Sequence, residues 1–243
     1  MAFGERPFTN HQLLFTLHQL LFTRHQLPFT ESGALSVSPQ GALILRLISS
    51  MILPIRSYGD PVLKKVAKDI EPGHPGLKQL IADMFETMYA ANGVGLAAPQ
   101  IGESIRLFVV DCSPFAEDED GKPTEDAHLK DFKKAFINPY IVEEDGEEWA
   151  FEEGCLSIPG IREDVERQPK IVMQYLDEDF NAHEETFEGY AARVLQHEHD
   201  HLDGVLFTDL LTPLRKRMLK GKLRDISMGK TDAKYKMRFT PVK

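Results

Sequence analysis

His197-Glu198-His199-Asp200-His201 is an H-E-x-x-H run. Two imidazoles four residues apart share one face of a helix, where both can ligate a single metal ion. The glutamate between them can then serve as general base toward a metal-bound water. Nine histidines stand in this chain, and most pairs at this spacing are solvated helix faces. The central glutamate is what turns the reading toward a metal.

A catalytic site of this kind wants a third protein ligand and an open fourth position. A metzincin would carry a third histidine at position 207, where Phe207 stands instead. A thermolysin-like site would use a downstream glutamate, and none follows His201. Upstream, Glu152-Glu153-Gly154-Cys155-Leu156-Ser157-Ile158-Pro159-Gly160 offers a thiolate, a strong ligand for a borderline cation. Cys155 with His197 and His201 would leave one corner of a tetrahedron to water.

The segment Gly93–Gln100, read G-V-G-L-A-A-P-Q, also fits a dinucleotide fingerprint. That fingerprint must follow a strand. Here Leu77, Leu80, Ile81, Met84, Phe85 and Met88 repeat at helical spacing, so a helix precedes it, capped at Asn92-Gly93. The nucleotide reading fails on context. Small residues do permit close approach of a peptide backbone, and the Gln100 amide is a donor suited to an oxyanion.

Together and in this order, the three segments resemble the signature motifs of peptide deformylase. That family removes the formyl group from the N-terminal formyl-methionine of nascent bacterial and organellar proteins. The likeness runs from about Met51 to the C-terminal helix. It implies an α+β fold, with antiparallel β-sheets wrapped around a central helix bearing H-E-x-x-H. It further implies one divalent cation on Cys155, His197 and His201, usually Fe²⁺, with Zn²⁺, Ni²⁺ or Co²⁺ acceptable to the same donors. By the same resemblance Glu198 is general base and then acid, and Gln100 and the Leu156 backbone N–H hold the oxyanion. Gly93, Val94, Gly95, Leu96, Tyr190, Arg193 and Val194 then bind substrate, Arg193 through its methylene stem with its head in water. Ile158 and Arg162 flank the peptide, and Arg167 pairs with Asp200 behind the ligands. The alternatives are an H-E-x-x-H zinc peptidase and a non-catalytic peptide or ribosome binder.

Composition bounds the rest. The 243 residues, 27% charged and 42% apolar, suit one large or two small globular domains. Cys112 and Cys155 are the only cysteines, which argues against a disulfide framework and for a reducing, cytoplasmic setting. No apolar run reaches membrane-spanning length. From Pro213 onward eleven Lys/Arg face two Asp, a net of +9, leaving −19 on the remainder of a chain whose total is −10. A basic tail on an acidic body suggests an anionic partner for the tail alone, with no specific DNA target. In some bacterial relatives the C-terminal helix docks on the ribosome, and Leu214–Lys220 looks like such a helix. The alternative is a solvated basic helix folded onto the acidic body.

Residues 1–50 stand apart. Asn10–Thr16, Leu17–Thr23 and Arg24–Thr30 form a tandem heptapeptide, N-HQLLFT, L-HQLLFT and R-HQLPFT. We read this segment as an extension from a start codon placed too far upstream, with an organellar presequence as the second reading. Residues 51–243 are expected to form the catalytic domain with its basic helix and tail.

The elements that must position these groups are legible in part. Ile105–Val110, Phe136–Val142, Lys170–Leu176 and His183–Glu188 read as strands, with Cys112 packed after the first of them. Phe115–Asp131 reads as an exposed acidic loop. Gly189–Leu202 is the metal-binding helix and Pro213–Ile226 the last one.

Overall fold

A computed structural model describes residues 50–240 except position 119, so the expectations for the N-terminal heptapeptides fall outside it. The first long helix, α1 (Leu77–Ala90), buries Leu77, Ile81, Met84, Phe85 and Met88 along one stripe, as the 3.6-residue period demands. Two polar members of that stripe are used rather than wasted. Asp83 accepts from Met51 N–H (2.7 Å) and Thr87 Oγ1 from Leu53 N–H (2.9 Å), tying the incoming chain to the helix. Asn92, at φ +56°, turns the chain out of the helix.

The chain then enters a five-stranded antiparallel sheet. Its strands are β2 (Gly95–Ala97), β3 (Leu107–Asp111), β4 (Lys133–Asp145), β7 (Lys170–Leu176) and β8 (Ala182–Glu188), hydrogen-bonded in that order. A four-residue helix, α2 (Ala98–Ile101), leaves β2 directly. Strand β5 (Trp149–Cys155) and β6 (Ile158–Arg167) form a separate hairpin. The helix α3 (Gly189–Leu202) lies against β2, β3 and β4, with ten of its fourteen residues buried. Two further helices follow, α4 (Phe207–Leu210) and α5 (Pro213–Ser227). The last pairing is a parallel one, β1 (Ile55–Arg56) with β9 (Met237–Arg238). It departs from an all-antiparallel arrangement because the tail returns alongside the first strand in the same direction.

The strands expected from sequence are present with shifted ends. β3 runs Leu107–Asp111, while Ile105 makes only an isolated bridge to Lys68. β4 is longer than its apolar stretch because two register shifts carry it past Asn138, at φ +49°. The Asn138 side chain accepts from Ile70 N–H (2.8 Å) and donates to Ile70 C=O (3.0 Å), filling the gap that the irregularity opens. The region Phe115–Asp131 is mostly loop, yet Ala116 and Leu129 are buried and anchor it. The β5–β6 hairpin was not anticipated. Its inward positions include Glu153, Glu163 and Arg167, so charge masks the alternation that marks a strand.

Candidate metal centre and active site

On α3 the four-residue spacing delivers His197 and His201 to one face, their ring centroids 5.1 Å apart. The hairpin brings Cys155 to them across 42 residues of chain. Its sulfur lies 3.3 Å from His201 Nε2, and ligand atoms of Cys155, His197 and His201 all fall within 4.8 Å of one another. Cys155, His197 and His201 are each at most 9% exposed. A soft sulfur and two imidazoles, buried and convergent, form a donor set that fits a single borderline divalent cation.

Each donor is aimed by something behind it. His197 Nδ1 meets Glu153 Oε2 at 2.9 Å, which leaves Nε2 for the sulfur side. Glu153 in turn accepts from Arg167 Nε (2.6 Å) and Nη2 (3.1 Å) and from Arg193 Nη1 (3.1 Å). Burial alone would push the Glu153 carboxyl up. Hydrogen bonds and charge from His197 and Arg167 overcome it and hold the group well below the usual carboxylate range. Arg167 Nη1 also lies 2.9 Å from Asp200 Oδ2, joining the hairpin to the far side of α3. Burial opposes the charged form of His197, but the Cys155 sulfur and Glu153 raise it well above the ordinary histidine value. His201 is driven well below it by burial and by its neighbour His197.

Glu198 is 4% exposed, and its Oε2 has no hydrogen-bond partner among the described residues. Burial pushes its carboxyl up to about 7. Gly95 makes room for it: a methyl group there would sit 2.8 Å from Glu198 Cγ. Gly93 does the same for Leu156, whose Cδ1 would lie 2.8 Å from an added Cβ. These two glycines therefore admit side chains of the site itself, a role the sequence did not suggest. Gln100 Oε1 accepts from Ala97 N–H (2.8 Å), which fixes the amide so that Nε2 faces Cys155 Sγ and Ser157 Oγ, each at 3.4 Å.

The expected substrate-binding residues do not all gather. Val94, Tyr190 and Val194 pack in one apolar cluster, with Tyr190 stacked on Phe115 at 5.0 Å. Leu96 points the other way, fully buried in the cluster on the opposite face of β2, because alternate residues of a strand face opposite sides. Arg193 corrects the sequence reading outright. Its head is not in water: the residue is 3% exposed, and the guanidinium donates to Val165 C=O (2.9 Å) and Trp149 C=O (2.6 Å) and covers the Trp149 ring at 4.6 Å. Its partners come from a hairpin that periodicity did not reveal. Ile158 is also fully buried, beneath the hairpin, and so does not flank an open groove, whereas Arg162 is exposed beside Glu152. Glu153 and Trp149 were missed as site residues. Glu153 stood two positions before Cys155, but nothing in a lone acidic residue announces burial.

With this geometry in view, the likeness to known proteins is extensive. A family model described as polypeptide deformylase matches residues 52–217. The chain belongs to the polypeptide deformylase family. A peptide deformylase of Christiangramia forsetii is 58% identical over 193 residues, covering 79% of this chain and 98% of that protein. One from Flavobacterium johnsoniae is 56% identical over the same shares. The crystal structure of a peptide deformylase from Legionella pneumophila superposes with a TM-score of 0.62 at 42% identity, covering 73% of this chain and 96% of that one. The deformylase fold expected from sequence, helices with antiparallel sheets around H-E-x-x-H, is the fold observed.

Proposed function

We propose that this chain removes the formyl group from the N-terminal formyl-methionine of nascent polypeptides at the centre made by Cys155, His197 and His201. One observation carries the reading: a sulfur and two imidazoles converge beside a buried, unpartnered carboxylate. A divalent cation on those donors would supply Lewis acidity toward the formyl oxygen and acidify a water, and Fe²⁺ is the ion we assign. Glu198, raised to about 7, is matched to accept a proton near neutral pH and return it to the departing amine, freeing formate and a new N-terminus. The Leu156 N–H and the Gln100 amide stabilise the developing oxyanion. Among the described residues β2 ends the sheet and pairs with β3 alone, and we assign its second edge, beside the partly exposed Val94, to an extended substrate backbone. Val94, Tyr190 and Val194 form a wall for the methionine side chain, and Arg193 with Arg167 and Asp200 supports it from behind.

Formate release from a formyl-Met peptide after anaerobic Fe²⁺ loading tests the activity. Cys155→Ala should lose both the cation and turnover. Retention of both by that variant would sink the assignment and favour a peptidase site with another third ligand.

The same reading extends to the ribosome. Lys216, Arg217 and Lys220 line a groove of about 1170 Å³ along α5, and they find no acidic partner among the described residues. Of this helix only Arg215 ion-pairs with the body, at Glu163 (2.7 Å). Such unneutralised charge suits ribosomal RNA. Replacing the three by Glu should abolish co-sedimentation with ribosomes at low salt, and unchanged co-sedimentation would dismiss the contact. No helix of the described residues is long and apolar enough to cross a membrane, and we place the enzyme with its nascent substrate in the cytoplasm.

A further inference from the structure

The Cys155 hairpin turns through only two residues, Leu156 and Ser157, since Cys155 already pairs with Ile158. Two-residue hairpin turns that match strand twist need positive φ in the turn. Neither Leu156 nor Ser157 has it, and the register shifts between Gly154 and Cys155. A turn of this kind does not match the twist of its flanking strands. Yet it bears both a metal ligand and the N–H assigned to the oxyanion.

Both of its outward carbonyls are held from outside. Tyr58 N–H donates to Ser157 C=O (2.8 Å), and Tyr235 Oη donates to Leu156 C=O (2.7 Å). Tyr58 follows β1 and Tyr235 precedes β9, so one two-stranded sheet delivers both bonds. The tail that carries Tyr235 is well seated. Ile55 N–H donates to Lys236 C=O (2.9 Å), Ser57 N–H to Arg238 C=O (3.1 Å), and Thr240 Oγ1 to Asp60 Oδ2 (2.6 Å). The ring of Tyr235 packs against the cluster that contains Leu156, and burial raises its phenol, with the nearby Cys155 sulfur adding to the shift. Tyr235 lies beyond residues 52–217, outside the part of the chain that the family model matches.

We infer that Tyr235 is a positioning residue for deformylation: its bond to the Leu156 carbonyl fixes the Leu156–Ser157 peptide plane and, across the Leu156 Cα, restrains the adjoining Cys155–Leu156 plane whose N–H is aimed at the oxyanion. This rests on the role assigned above to the Leu156 N–H. Loss of a whole oxyanion donor costs about 10²–10³ in kcat, so misaiming one should cost about tenfold.

The test is Tyr235→Phe, which keeps the ring and removes only the hydroxyl, assayed on a formyl-Met tripeptide with Thr240→Val as the control for a loosened tail. Tyr235→Phe should lower kcat about tenfold with KM and bound metal unchanged, and weaken a peptide hydroxamate, whose carbonyl takes the oxyanion's place, by a like factor. Thr240→Val should leave kcat and hydroxamate affinity at wild-type values. Wild-type kcat in Tyr235→Phe, or an equal loss in Thr240→Val, overturns the inference while leaving the deformylase reading intact. An anaerobically loaded wild-type chain that releases no formate overturns both.

Discussion

The two halves of the metal centre are built by opposite means. His197, Glu198 and His201 sit on α3, where one helical turn sets their spacing and backbone hydrogen bonds hold it. Cys155 and Leu156 sit at a hairpin whose turn, Leu156-Ser157, is held by Gln100, Tyr58 and Tyr235, drawn from three separate stretches of chain. The helix thus fixes the spacing of its groups by its own pitch, while the turn is held by contacts from elsewhere in the chain. Loss of Glu198, or of the space it occupies, should change turnover and spare the metal, whereas loss of the Glu153 carboxylate that ties the hairpin to His197 should loosen the metal.

The largest contrast is expected from Glu198→Ala. It should keep its cation, seen by metal analysis, and lose about 10⁴-fold or more in kcat; near-normal deformylation would remove Glu198 from the mechanism. Gly95→Ala comes next. The added methyl must push the Glu198 carboxylate aside, and a shift of about 1 Å costs on the order of 10²-fold in kcat, again with metal retained. A Gly95→Ala enzyme with full activity would show that this close approach does not matter. Glu153→Gln probes the link between the hairpin and the helix. It removes the charge that orients His197 and anchors two arginines, so metal affinity measured by competition with a chelator should fall about 10- to 100-fold. Unchanged affinity there would erase the distinction between the two halves.

Legibility followed the same line. The α3 boundaries Gly189–Leu202 and the strand Lys170–Leu176 were readable to the residue, because periodicity and short-range spacing are local properties. The hairpin was not, since Glu153, Glu163 and Arg167 face inward only because partners from elsewhere neutralise them. Arg193 misled for the same reason. A long cationic side chain on a helix is ordinarily expected to snorkel to water, and here the Trp149 and Val165 carbonyls replace that water. Leu96 showed that a motif does not name the face on which a residue lies.

From its residues alone this chain determined a helix presenting H-E-x-x-H, a cysteine whose sulfur joins its two imidazoles, and the family to which it belongs. Tertiary structure decided which carboxylate backs His197, why Gly95 must lack a side chain, and that a tail tyrosine reaches the catalytic turn. The division has a physical cause. Ligand type and helical pitch are written within a few consecutive residues, whereas the burial of a charge and the aim of a peptide plane depend on groups that only folding brings together.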